Sequence, residues 1–172
     1  MRQTFSLDKL VEAAHLGVPE AQCDLGLVYK RGDGVKRNWE LAAFWYKAAA
    51  GQGYAQAQYN LGCCYESGEG VEQNFQLAVK WYRLAAEQGL AHAQSNLGCC
   101  YQDGQGVDED LEEAVRWYTL AAEQKSPTAQ CNLAFCFENG LGVEKDDMKA
   151  RHWYILAANQ GSALARKKLA RK

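Results

Sequence analysis

A 36-residue repeat is the feature that most constrains how this chain can fold. Residues 55–90 and 91–126 are identical at 21 of 36 positions, and the same skeleton occurs once before them, in residues 19–54, and once after them, in residues 127–162. A fixed period of 20–50 residues is typical of solenoids, in which each repeat contacts only its neighbours. The 172 residues are therefore expected to bury one core that extends along a stack of repeats.

Each repeat predicts two helices, A and B, joined by a glycine-rich loop. In helix A, a leucine and an aromatic residue four positions apart, such as Leu61 and Tyr65, share one face. The pattern Gly-x-Gly-Val follows in all four repeats and indicates a helix end in the left-handed region and a tight turn. Helix B carries a small–aromatic packing pattern, Ala-x-x-Trp-Tyr. It starts after a favourable N-cap residue: Asn38, Asn74, Asp110 and Asp146, of which Asp110 forms a capping box with Glu113.

Both ends of the chain carry half a repeat. Residues 1–18 match a helix B, which Ser6 is expected to cap, and residues 163–172 match a helix A. We therefore predict ten helices in a single domain, residues 1–172. Its parts are the half repeats 1–18 and 163–172 and the four repeats 19–54, 55–90, 91–126 and 127–162. Five basic residues near the end favour either a solubilising cap or a docking patch for an acidic partner: Arg166, Lys167, Lys168, Arg171 and Lys172.

Charge and hydropathy exclude several classes of protein. The net charge of −2 argues against a nucleic-acid-binding protein, and no apolar run approaches the ~20 residues that span a bilayer. The first residues lack the apolar core of a signal peptide, so a cytoplasmic location is predicted. The chain is also predicted to be a monomer. Seven cysteines are an odd number, and a chain of this size needs no bridges, so free buried thiols in a reducing compartment are expected.

The repeated segment AQYNLGCCYESGEGV, followed by Ala, Trp-Tyr and Ala-Ala, resembles the Sel-one-like repeat family, a relative of the tetratricopeptide repeat. The tetratricopeptide pattern is met in part, because Gln22 stands where that pattern has tryptophan. The resemblance implies an all-α, right-handed superhelical solenoid whose helices A line a concave groove. It also implies an adaptor that assembles other proteins.

The tetratricopeptide phase places one set of helix A residues on this groove, where they differ between repeats while the packing positions stay the same. That contrast suits a scaffold for a protein or peptide segment. The asparagine series consists of Asp24, Asn60, Asn96 and Asn132, which occupy equivalent positions of the four repeats. These side chains either hydrogen-bond the backbone of a bound peptide or satisfy polar groups of neighbouring loops and helices. The predicted partner-binding residues are Asp24, Leu27, Arg31, Tyr59, Asn60, Glu66, His92, Asn96, Gln102, Asn132, Phe135 and Glu138.

The sequence gives little support to two other functions. A secreted, cysteine-rich branch of the family is linked to β-lactam binding and hydrolysis, but its bridging cysteines, eight residues apart, are replaced here by the pairs Ala50/Gln58, Ala86/Gln94 and Ala122/Gln130. No Ser-x-x-Lys, Gly-x-Ser-x-Gly or His-Glu-x-x-His motif occurs. A thiol or metal site would draw on His92, Cys99 and Cys63, whose spacing is not that of a zinc site. We therefore predict no catalytic residue, no cofactor and no metal.

Overall fold

The computed structural model describes residues 7–170, which form ten helices and no strand. The predicted all-α fold and helix order are confirmed for this part of the chain, whereas Ser6, Arg171 and Lys172 lie outside it. Even-numbered helices are of type A and odd-numbered helices of type B. The helices are α1 Leu7–His15, α2 Pro19–Arg31, α3 Trp39–Gly51, α4 Ala55–Ser67, α5 Phe75–Glu87, α6 Ala91–Asp103, α7 Leu111–Glu123, α8 Pro127–Asn139, α9 Asp147–Asn159 and α10 Ala163–Leu169.

The chain divides into two units, Met1–Gln88 and Gly89–Lys172. In the first unit, α2 packs against α3 and α4 against α5, and the contacts of α1 with α2 and of α3 with α4 join these pairs. In the second unit, α6 packs against α7 and α8 against α9, while α7 contacts α8 and α9 contacts α10. Each unit is therefore a stack in which consecutive helices of the unit pack on one another.

A tyrosine from helix B fills the space over a small residue of helix A in each repeat. Tyr82 is fully buried, and a Cβ atom added to Gly62 would lie 2.6 Å from its ring. The fourth repeat has Ala134 at the glycine position, and Ala134 packs in one buried cluster with Tyr154. Glycine at this position thus gives the tyrosine ring room to lie directly on the backbone of helix A.

The two glycines of each Gly-x-Gly-Val loop have different roles. Gly68 ends α4 in the left-handed region at φ 74°, and its N–H group donates to the carbonyl of Cys64 at 2.9 Å. Gly70 has φ 76°, and a Cβ atom there would lie 2.0 Å from the carbonyl oxygen of Trp39, the first residue of α3. The second glycine therefore lets the loop of one repeat contact the start of helix B in the repeat before it, a role that the turn pattern did not reveal.

All four predicted N-caps of helix B are confirmed. Each side chain accepts a hydrogen bond of 2.9 Å from the backbone three residues later. The capping box at Asp110 is only half formed, so that prediction is wrong in its reciprocal part. The N–H group of Asp110 donates to the carbonyl of Tyr101 at 2.9 Å, and the carboxylate of Glu113 binds Arg116 at 3.2 Å. The tertiary contact with helix A has taken the donor that the capping box would use.

Lys125 has a backbone conformation that lysine rarely adopts. Its φ is 65°, and the equivalent junctions carry glycine, for example Gly53 at φ 86° and Gly161 at φ 95°. The left-handed region costs a residue with a side chain about 1–2 kcal/mol. We expect Lys125→Gly to raise the free energy of unfolding by about 1 kcal/mol, measured by urea denaturation. Lys125→Ala keeps the Cβ atom and serves as the control, so an equal gain in both variants would contradict this explanation.

Candidate functional site

The predicted groove residues all lie on helices A, and none of them is buried. We call the residues of one unit the helix-A face of that unit. Leu27 and Tyr59 are half-buried, whereas Arg31 and Phe135 are exposed. The face of the first unit is formed by Asp24, Leu27, Arg31, Tyr59, Asn60 and Glu66. That of the second unit is formed by His92, Asn96, Gln102, Asn132, Phe135 and Glu138.

A tyrosine–thiol–carboxylate cluster includes Tyr59 and Glu66 of the first unit's helix-A face. The hydroxyl of Tyr82 lies 2.7 Å from Oε2 of Glu66 and 3.4 Å from Sγ of Cys63, and the ring of Tyr59 lies 5.9 Å from that of Tyr82. Burial, and then the Coulombic effect of Cys63, raise the pKa of Tyr82, and burial likewise raises the pKa of Cys63. Both groups therefore stay protonated at neutral pH, which suits hydrogen-bond donors and not nucleophiles.

The second unit repeats the cluster with one addition. The hydroxyl of Tyr118 lies 3.2 Å from Oε1 of Gln102, and the hydroxyl of Tyr154 donates to Oε2 of Glu138 at 3.0 Å. Lys168 on α10 donates to the same oxygen of Glu138 at 2.6 Å. At least one residue of the basic C-terminal segment is thus used inside the protein, where it holds the last helix against α8.

The asparagines of the series make the local contacts that the sequence left open. The amide of Asn60 donates to Sγ of Cys23 at 3.6 Å, and the amide of Asn132 donates to Sγ of Cys99 at 3.6 Å. Oδ1 of Asn60 also accepts from Gln56 at 3.2 Å. These bonds join neighbouring helices A within a unit, so at least these two asparagines contribute to packing between repeats.

A cleft of about 420 Å³ opens on the second unit between the start of α8 and the turn before α10. Thr128 and Asn132 line one side, and Leu164, which is 55% exposed, lines the other. Asn132 was predicted to face a partner, whereas Leu164 was missed because it belongs to the terminal half repeat. A larger, more open cleft of about 690 Å³ lies beside Trp39 and Gly70 at the loops of the first unit, away from the predicted residues.

A buried glutamine series escaped the sequence analysis. In the first unit the side chain of Gln88 donates to Oε1 of Gln58 at 2.7 Å, and Nε2 of Gln58 donates to the carbonyl of Ala50 at 3.4 Å. The bond from Gln58 to Ala50 ties the end of α3 to the next helix A, and it joins the pair that carries bridging cysteines in the secreted branch, whereas the bond from Gln88 ties the end of α5 to helix A of the same repeat. The sequence signal for these bonds is a glutamine at the same helix-A position of every repeat, on a face that is otherwise apolar. The buried glutamines are Gln22, Gln58, Gln94 and Gln130.

All seven cysteines are free thiols, and burial raises the pKa of Cys64 to about 11. Within residues 7–170, no three His, Cys, Asp or Glu side chains are grouped so that they could hold a metal ion. The described helices include none that is both long enough and apolar enough to cross a bilayer.

Helix pairs that share their buried residues and differ on one face define a helical-repeat protein of the solenoid class. The Sel1 repeat model matches residues 19–54, 55–90, 91–126 and 127–162, and the chain therefore belongs to the Sel1 repeat family. The resemblance found in the sequence is confirmed. No match was found among curated protein sequences.

Solved structures agree with this assignment. The chain is similar to c5321, a protective antigen of uropathogenic Escherichia coli with an SLR fold, at 40% identity and a TM-score of 0.93, over 96% of this chain and 36% of that one. A Sel1 repeat protein from Oxalobacter formigenes is 41% identical at a TM-score of 0.84, over 90% of this chain and 64% of that one. This chain thus spans about a third of the first relative and less than two thirds of the second. Helicobacter pylori cysteine rich protein B shares the fold at 23% identity and a TM-score of 0.60, over 79% of this chain and 98% of that one.

Proposed function

We propose that this chain is a scaffold that binds a segment of another protein on its helix-A faces. One observation carries the proposal: the leucines common to the repeats are buried, whereas none of the predicted partner-binding residues is buried, and most of these differ between repeats. Leu25, Leu61, Leu97 and Leu133 are at most 1% exposed, while the side chains at the helix-A positions change from repeat to repeat. Interaction with other proteins is the general role of Sel1 repeats. The accessible helix-A residues that differ between repeats would determine which partner binds.

The cleft on the second unit supports this proposal because it combines an apolar side chain with hydrogen-bonding groups. Leu164 and Pro127 offer apolar surface, and Thr128 and Asn132 offer polar atoms within the same 420 Å³. Concave sites with a few polar groups among apolar ones are typical of ligand-binding surfaces. A side chain of a partner segment would enter this cleft while its backbone follows the face.

The proposed scaffold has no catalytic step. Burial keeps the Tyr118 hydroxyl protonated by raising its pKa, and it raises the pKa of the Cys136 thiol to about 11. An activated nucleophile needs the opposite shift. We further propose that the chain acts as a monomer in the cytoplasm, where its thiols would stay reduced. Sedimentation analysis and fractionation of cells would test these two points.

We expect the double variant Asn132→Ala/Leu164→Ala to lose at least tenfold in partner capture, measured by quantitative mass spectrometry on the immobilised protein. The substitutions remove an amide and an apolar side chain from the cleft. The matched control, Leu120→Ala/Asn159→Ala, removes the same two residue types from exposed positions on helices B of the same unit. Unchanged capture by the cleft variant, or an equal loss in the control, would contradict a binding site on the helix-A face of this unit.

A further inference from the structure

The four tyrosines that seal helix B against helix A differ in what their hydroxyl groups meet. In three repeats the hydroxyl lies within hydrogen-bond distance of an oxygen of the residue sixteen positions earlier, as in Tyr82 with Glu66 and Tyr154 with Glu138. Tyr118 has Gln102 in the same place. The first repeat breaks this rule, because the residue sixteen positions before Tyr46 is Lys30. An acceptor has been replaced by a donor.

The hydroxyl of Tyr46 consequently has no hydrogen-bond partner among the described residues. The side chain is fully buried, and burial raises its pKa, so the hydroxyl stays a proton donor. The titratable groups that face it are Arg31, a cation, and the thiols Cys23, Cys63 and Cys64, whose pKa values burial also raises. None of them is an anion at neutral pH. A buried donor without an acceptor is costly, and native proteins rarely keep one without a purpose.

The fourth repeat shows what completes such a cluster. There, one carboxylate oxygen of Glu138 accepts from both the hydroxyl of Tyr154 and the ammonium group of Lys168. The first repeat has the corresponding tyrosine, the nearby cation Arg31 and, sixteen positions before the tyrosine, Lys30, but no carboxylate in its own sequence at that position. The ammonium group of Lys30 lies 5.6 Å from the centre of the Trp39 ring, an interaction that a flexible side chain can exchange for an ion pair.

We propose that the first repeat binds an acidic side chain of the partner, whose carboxylate accepts hydrogen bonds from the Tyr46 hydroxyl and the Lys30 ammonium group. The inference rests on the proposed scaffold function and specifies the chemistry of the bound segment. Leu27 and Lys30, which occupy the positions of Cys63 and Glu66, are half-buried. The proposal requires the side chain of Lys30 to leave the Trp39 ring when the carboxylate binds. A carboxylate is favoured because this chain itself places one against the same hydroxyl in two repeats.

The first test uses the stability of two matched variants. Tyr46→Phe removes a hydroxyl without a partner and is expected to leave the urea midpoint unchanged or to raise it. Tyr82→Phe removes a hydroxyl that donates to Glu66 and is expected to lower it. An equal loss in both variants would mean that the Tyr46 hydroxyl is satisfied inside the protein, and the proposal would be overturned.

The second test measures binding of an acetylated hexaglutamate peptide by NMR of the tyrosine rings, with hexaglutamine and inorganic phosphate in parallel. Hexaglutamate is expected to shift the Tyr46 signals, and Tyr46→Phe and Lys30→Met should each weaken binding about tenfold. The control Lys47→Met removes an exposed lysine from helix B of the same repeat and should bind normally. Equal binding by Lys30→Met, no binding of hexaglutamate, or equal affinity for phosphate would each overturn the proposal.

Partner capture separates this inference from the scaffold function. If Lys30→Met captures the partner as well as the unaltered chain does, while the Asn132→Ala/Leu164→Ala variant does not, the acidic-site proposal fails and the scaffold function stands. If Lys30→Met loses both capture and hexaglutamate binding while Lys47→Met keeps both, the acidic site is supported. If neither Lys30→Met nor Asn132→Ala/Leu164→Ala reduces capture, both the acidic site and the scaffold function are overturned.

Discussion

Replacing Tyr82 with alanine is expected to lower the free energy of unfolding by about 3–5 kcal/mol, the cost of removing a large aromatic side chain from a core. The ring is fully buried and lies on the backbone of α4 at Gly62, so little can move in to fill the cavity. The substitution also takes away the hydroxyl that donates to Glu66 at 2.7 Å. Urea denaturation followed by circular dichroism would measure the loss.

Two variants give this prediction its control. Tyr82→Phe keeps the ring and loses only the hydroxyl, so we expect it to cost about 1–3 kcal/mol. Trp81→Ala removes a larger side chain that is only partly buried, at the margin of the buried cluster that includes Leu61, and should cost less than Tyr82→Ala. A loss from Trp81→Ala that exceeds the loss from Tyr82→Ala would show that the neighbouring tryptophan, and not the tyrosine, holds the pair of helices together.

Gly70→Ala is expected to cost about 2–5 kcal/mol because two penalties coincide. The left-handed backbone, at φ 76°, disfavours any side chain by about 1–2 kcal/mol. The new Cβ atom would also lie 2.0 Å from the carbonyl oxygen of Trp39, so the loop must move away from the preceding repeat, and overpacking of this kind costs about 1–3 kcal/mol. The same urea measurement applies.

Gly53→Ala separates the two penalties. Gly53 has φ 86°, close to that of Gly70, but no atom lies within 4 Å of the position of its Cβ atom. We expect a loss of about 1 kcal/mol there, which reports the backbone penalty alone. Equal losses at the two glycines would mean that the contact of the loop with Trp39 contributes nothing to the stacking of repeats.

The helices and their caps could be predicted from sequence because each depends on neighbours along the chain. The first helix A, Pro19–Arg31, is an example, since the proline at its start and the glycine after its end act within one turn. The side-chain N-caps are equally local. Because the helix start and stop residues recur every 36 positions, the same argument applies to all four repeats.

The groove residues were predicted less completely, because their surroundings come from other helices. The face position of Glu138 followed from helical phase, but its ion pair with Lys168 joins residues 30 positions apart. Leu164 occupies the helix-A position of His92 and Thr128, but it lies in the terminal half repeat and was not among the predicted residues. The reciprocal half of the capping box failed for the same reason, because the carbonyl of Tyr101 competes for the N–H group of Asp110.

Periodicity alone specified the helical repeat, the length of its helices and the residues that face inward, because these follow from contacts that recur every 36 residues. Only the packed structure showed which polar groups find partners across the stack. Gln58 found Gln88 and the carbonyl of Ala50, whereas the hydroxyl of Tyr46 found no acceptor among residues 7–170. Hydrogen bonding requires two groups within about 3 Å of each other, and the distance between side chains on different helices is set by the packing of the whole pair.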